Sequence, residues 1–167
     1  MKKHIIDQQF AAEQSFLEEI RWKRPSLNMP FVRLNPYLIA PLTGIVAFYT
    51  ETKVPVTMTV AGLEPDGAIT KTFPPATEHI LPVLGLYPGR DNLVTLSLPD
   101  KSTQSIIIAT DPLDPAVKVP ESILTTAAYM DGQLMFVVPA MGALPAAYDY
   151  RGDCRWYCTE NLTFAMK

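Results

Sequence analysis

Residues 5–22 place Ile6, Phe10, Leu17 and Ile20 near one stripe, with Glu13, Gln14, Glu18 and Glu19 largely away from it. Spacings of three and four predict an amphipathic helix. Asp7 is placed to act as a cap or first-turn acid, and Pro25 ends the helix. A terminal helix with an apolar stripe must pack on something, either the rest of the chain or a second subunit. From Phe31 the period shortens to two. Val54, Val56, Met58 and Val60 alternate with Thr57 and Thr59, and Val94, Leu96 and Leu98 alternate with Thr95 and Ser97. Both read as half-buried strands. Pro55 makes the first an edge strand or marks its start. Pro65-Asp66-Gly67 is a turn, joining that strand to Ala68–Phe73 as a hairpin. The run Ile106-Ile107-Ile108 reads as a strand buried on both faces. Short strands at intervals of about 8–12 residues predict a sandwich or barrel.

Asp111–Glu121 (DPLDPAVKVPE) lacks periodicity and reads as a semi-rigid linker. Beyond it, Tyr129-Met130-Asp131-Gly132 leads into the apolar run Leu134–Val138. Tyr150-Arg151-Gly152-Asp153 leads into Cys154–Tyr157 in the same way. Two turn-and-strand units about twenty residues apart fit paired strands of a propeller blade. The chain therefore divides into a helix (1–24), a β-sandwich (25–110), a linker (111–121) and first blade strands (122–167). Removing residues 121–167 is expected to leave the sandwich folded.

Composition narrows the classes. Sixteen prolines in 167 residues are about twice the usual share and favour short strands and loops over helix. A net charge of −3 with no long basic run excludes a nucleic-acid partner. Arg21, Lys23 and Arg24 close the predicted helix and complement its dipole. No stretch reaches the ~20 apolar residues of a membrane span, and Asp7, Gln8 and Gln9 interrupt any leader-like run, so the chain as written is expected in the cytoplasm.

Chemistry-bearing residues are few. Cys154 and Cys158 are four apart, roughly 13 Å on an extended strand, whereas a disulfide needs Cα atoms within about 7 Å. Both read as small buried hydrophobes. The histidines are His4, near the chain start, and His79, beside Glu78. A Glu–His pair can form a base with its orienter, but a strand-end histidine satisfying a local hydrogen bond is the simpler reading. No nucleophile elbow, phosphate loop, HExxH or CxxC motif occurs. Asp111 and Asp114 read as turn residues. Arg151-Gly152-Asp153 is ordinary turn chemistry, and Asn161-Leu162-Thr163 is a sequon without a secretory context. No catalytic, cofactor-binding or metal-ligating residue is assigned, and no cofactor is expected.

Two blocks, NPYLIAPLTG (Asn35–Gly44) and TEHILPVLGLYPGRDNLVTLSL (Thr77–Leu98), resemble the N-terminal domain of bacterial aryl-sulfate sulfotransferases. The similarity resumes at YDYRGDCRWY (Tyr148–Tyr157), which resembles the start of that family's β-propeller. The resemblance implies a mainly β protein: an immunoglobulin/fibronectin-III-like sandwich with an N-terminal helix, followed by about one blade of an incomplete propeller. It also implies transfer of a sulfuryl group from a phenolic sulfate ester to an acceptor phenol through a sulfohistidine. The catalytic histidines and arginine of that family sit in the propeller channel and match no position here. The chain alone is therefore expected to be inactive, and phenolic ligands belong to the propeller. Family members are often exported, so a periplasmic or extracellular location is the alternative. Within the second block, Leu86–Leu96 resembles the fibronectin corner, with Asn92 where a tyrosine is usual.

Two non-catalytic readings stand beside this one. The first is a free-standing sandwich that binds a partner or dimerises, using aromatics such as Tyr37, Tyr49, Phe73 and Tyr87. The second is a protein that assembles through unpaired propeller strands. Self-association, as a homodimer, is expected through the helix or the open blade.

Overall fold

A computed structural model describes residues 3–130, 132–139 and 142–160. Helix α1 (Lys3–Lys23) is followed by five strands of one sheet: β1 (Phe31–Leu34), β2 (Gly44–Val60), β3 (Ile69–Val83), β4 (Asp91–Ser97) and β5 (Thr103–Ala109). A single turn, α2 (Ala127–Met130), leads to a second, three-stranded sheet: β6 (Met135–Val137), β7 (Ala146–Tyr148) and β8 (Cys154–Tyr157). All pairings between these strands are antiparallel.

The long strand β2 organises the first sheet. β3 runs beside its whole length, from Gly44↔Val83 to Val60↔Ile69. On its other side, residues 44–47 pair with β1 and residues 57–60 pair with β4. The two halves of β2 thus serve opposite ends of the sheet, which curls so that one inner face encloses the core. The bend has a local cause. The register shifts twice between Tyr49 and Val56, around Pro55 and opposite Pro74-Pro75. Proline cannot donate to the ladder, and bulges are where strands tolerate it. Pro55 therefore marks no strand start, but a bulge inside a strand longer than the alternation indicates, on a stretch that β3 pairs from one side.

The inner face holds Val46, Phe48, Val56, Met58, Val60, Leu81, Val83, Val94 and Leu96, all buried. In β5 only Ile108 is fully buried, while Ile107 is 60% exposed. The triple-isoleucine strand is thus covered on one face, because β5 lies at the end of the sheet order. On the outer face, α1 packs Phe16 and Ile20 against Phe31, Ile45 and Ala47. This stripe is shifted from the expected one. Phe16 belongs to it, whereas Ile6 and Phe10 are 49% and 62% exposed. Arg21 and Lys23 occupy the last helical turn, and Arg24 follows with its guanidinium 4.6 Å from the Tyr49 ring centroid.

The core does not stop at residue 110. Val117 from the segment read as a linker is buried in it, and Leu113 packs against it. Ala146, Tyr148, Cys154 and Tyr157 of β7 and β8 belong to the same apolar cluster. Backbone bonds reinforce the join: Leu144 donates to Ala116, and Thr159 donates to Ile39. Gly132 (φ 70°) and Gly152 (φ 80°) hold the two turns that precede β6 and β8. Asp131 of the first turn lies outside the described residues.

Candidate functional site: a corner, a buried polar cluster and an apolar groove

The turn Tyr87–Asp91 is fixed by Asn92. Its Oδ1 accepts from the Tyr87 N–H at 2.7 Å. Its Nδ2 lies 3.0 Å from the Tyr87 carbonyl and 3.2 Å from those of Arg90 and Ile108. Asn92 is buried, so these bonds face little competition from water. Gly89 sits at φ 66° and donates to the Asp111 carbonyl, as the tight turn requires. The corner is thus pinned by the amide of Asn92, at the position where the fibronectin pattern usually has a tyrosine.

Tyr87 itself turns inward. Its hydroxyl accepts from Arg155 Nη1 at 2.7 Å and from the Leu63 N–H at 3.3 Å, and donates to Asp149 Oδ2 at 3.4 Å. Arg155 is fully buried. Its Nε donates to the Gly85 carbonyl at 2.8 Å, and Nη1 also reaches the Gly67 carbonyl and Asp149 Oδ2, each at 3.0 Å. The guanidinium carbon lies 3.7 Å from the Tyr87 ring centroid, a desolvated cation–π contact. Burial raises the Tyr87 phenol above its usual range, partly offset by the Leu63 N–H and the Arg155 charge. Asp149 has a second task. Its Oδ1 accepts from the N–H groups of Arg151 and Asp153 and so forms the β7–β8 turn. Arg151-Gly152-Asp153 is that turn. The sequence hint of this cluster is one arginine inside an apolar strand, between Cys154 and Trp156.

The other flagged residues do not converge. His79 is buried, stacks on Phe48 at 4.7 Å and shares a 3.0 Å hydrogen bond with Thr50. Glu78 instead accepts from the Tyr49 hydroxyl. Neighbours on a strand point to opposite faces, so Glu78 does not orient His79. Burial lowers the His79 pKa. Its stabilising contribution is therefore complete above the unfolded value of about 6.5 and is lost as pH falls from there toward the folded value. Thermal melts at pH 7.5 and pH 5 are expected to show a larger acid loss in the parent than in His79→Phe; equal losses would contradict this. His4 is exposed in α1. Cys154 and Cys158 are buried and free, with burial pushing the Cys154 thiol up to about 11. Asp114 caps its own turn through the Ala116 N–H. The sequon at 161–163 lies outside the described residues. Among those described, no group of three His, Cys, Asp or Glu is placed to hold a metal ion.

A groove of about 640 Å³ opens between α1 and the loop before β2. Ile6, Phe10, Ile39, Ile80, Pro82 and Leu84 make it apolar. Tyr37 crosses one wall and donates to Glu13 at 2.8 Å; burial first, and then Glu13, raises its pKa. A second groove, near the end of α1, is lined by Lys23, Arg24 and Arg33. Glu19 pairs with both Lys23 and Arg33 and answers much of that charge.

The sequence profile of the arylsulfotransferase Ig-like domain matches residues 31–114, half of the chain. The chain belongs to the arylsulfotransferase family. The match begins at β1 and ends just past β5, so it covers the curled sheet and the Asn92 corner. No curated protein matches the chain significantly. In this arylsulfotransferase Ig-like domain the sandwich is a mainly β body with an N-terminal helix on its outer face. No described helix is long and apolar enough to cross a membrane.

Proposed function

We propose that residues 1–167 form the non-catalytic N-terminal portion of an aryl-sulfate sulfotransferase: an Ig-like domain packed on the opening strands of a β-propeller. The propeller would transfer a sulfuryl group from a phenolic sulfate ester to an acceptor phenol through a sulfohistidine. The observation that carries this reading is the family match over the sheet, joined through one core to the antiparallel β6–β7–β8 sheet. The histidines support the division of labour. His79 is stacked, hydrogen-bonded and buried, and so is closed to a phenolic ester. His4 is exposed on α1. Incubation with an aryl sulfate ester and an acceptor phenol is expected to release no phenol. Heat-labile release that depends on the acceptor would contradict the reading.

A role as a dimerisation module is the second reading, and the exposed apolar residues favour it. Ile6 and Phe10 overhang the α1 groove, and Met135–Val138 are exposed on and just past β6, an edge strand. Such edges and patches recruit partners. Light scattering over a concentration series is expected to show a dimer that Phe10→Asp weakens. A monomer at every concentration would exclude it.

A further inference from the structure

Arg155 and Asp149 lie on the β7–β8 hairpin, whereas Gly67, Gly85 and Tyr87 lie on the sandwich. The polar cluster therefore spans the join. The join is also covered by apolar contact, since Ala146, Tyr148, Cys154 and Tyr157 share the sandwich core. Apolar burial supplies adhesion without direction. A buried ion pair adds little net adhesion, because desolvation offsets its attraction. Here the balance is poorer still, since Arg155 Nη2 is buried without a hydrogen-bond partner among the described residues. What the guanidinium supplies is geometry. Its planar fork reaches two backbone carbonyls, a hydroxyl and a carboxylate in fixed directions. The receiving frame is itself constrained. Gly85 holds φ 81°, and a Cβ there would come within 2.3 Å of Ile69 Cδ1 and 3.6 Å of Arg155 Nη2. Asp149 ties the frame to the hairpin turn, with one oxygen on Arg155 and the other on the turn amides.

We propose that the Arg155–Asp149–Tyr87 cluster is an orientation latch: it fixes the angle at which the C-terminal sheet leaves the sandwich, while the apolar core holds the two together. The latch does not depend on the sulfotransferase reading. It aims whatever chain is built on β8.

The test compares Arg155→Met with Arg155→Met/Asp149→Asn in the full chain. The single change strands the Asp149 carboxylate and is expected to lower the melting temperature by about 10 °C. The double change removes the stranded charge, keeps the Oδ1 acceptor for the turn, and is expected to recover most of that loss. Orientation is read by spin labels at Lys53→Cys on β2 and Val138→Cys beyond β6, both exposed positions. The native cysteines are buried and serve as unlabelled controls. The parent is expected to give one narrow distance population, and the double variant one about twofold broader. A double variant as narrow as the parent would overturn the proposal, because packing alone would then set the angle. A double variant no more stable than the single would also overturn it, because the cluster would then be adhesive. So would a single variant as stable as the parent.

Discussion

Replacing Asn92 by leucine is expected to destabilise the chain by about 2–4 kcal/mol, read from urea unfolding. Leucine keeps the branching of the amide but none of its polar atoms, so the loss comes chiefly from hydrogen bonds. The Tyr87 N–H loses its acceptor, and the Ile108 carbonyl loses a donor, both in a buried setting. The Tyr87 carbonyl keeps Thr110 Oγ1 at 2.6 Å, which limits the damage. Asn92→Asp separates the two halves of the amide. It retains the acceptor for Tyr87 N–H but sets a carboxylate against the carbonyls of Tyr87, Arg90 and Ile108. Those oxygens favour the protonated acid, so the folded pKa rises above the unfolded value of about 3.9. For a raised pKa, stability is fully present below the unfolded value and is lost as pH rises through the folded one. The Asn92→Asp deficit relative to the parent is therefore expected to grow between about pH 4 and pH 7. A pH-independent deficit would show that the carbonyls of Tyr87, Arg90 and Ile108 do not raise the pKa of the introduced acid.

Ending the chain at Pro120 is the larger perturbation. It strips Ala146, Tyr148, Cys154 and Tyr157 from the core and removes Arg155 and Asp149 from the Tyr87 hydroxyl, leaving it the Leu63 N–H among the described residues. Each large apolar side chain fully buried contributes about 1.5–3 kcal/mol, against a total domain stability of about 5–15 kcal/mol. The shortened chain is expected to lose its cooperative thermal transition and to bind a hydrophobic dye. This reverses the expectation drawn from sequence, in which the sandwich survives alone. A sharp melt within a few degrees of the parent would restore it.

The contrast between those expectations shows what sequence periodicity reports. Alternation at Val94–Leu98 correctly named the inward face of β4, because a pleat fixes which side chains share a face. It could not say what covers that face, so residues 111–121 read as a spacer although Val117 is buried. The three isoleucines of β5 read as doubly buried because local apolarity carries no information about sheet position. Pro55 read as an edge or a strand start because the bulge that accommodates it lies opposite Pro74 and Pro75, some twenty residues away. Burial of the cysteines was legible from their apolar surroundings. That of His79 was not, because its hydrogen-bond partner Thr50 lies on another strand, 29 residues away. The Arg155 cluster was not, since its partners at Gly67, Gly85 and Tyr87 lie 68 to 88 residues distant.

The arylsulfotransferase Ig-like domain and the β6–β7–β8 sheet share one core and are expected to unfold as one body. Urea unfolding followed by two probes tests it. Trp22 is 83% exposed and can be replaced by phenylalanine at little cost, leaving Trp156 on β8 as the only fluorophore of its kind. Far-ultraviolet circular dichroism reports α1 and the curled sheet. Superimposable transitions with one midpoint are expected. A Trp156 transition completed at lower urea, with the dichroism signal intact, would contradict it.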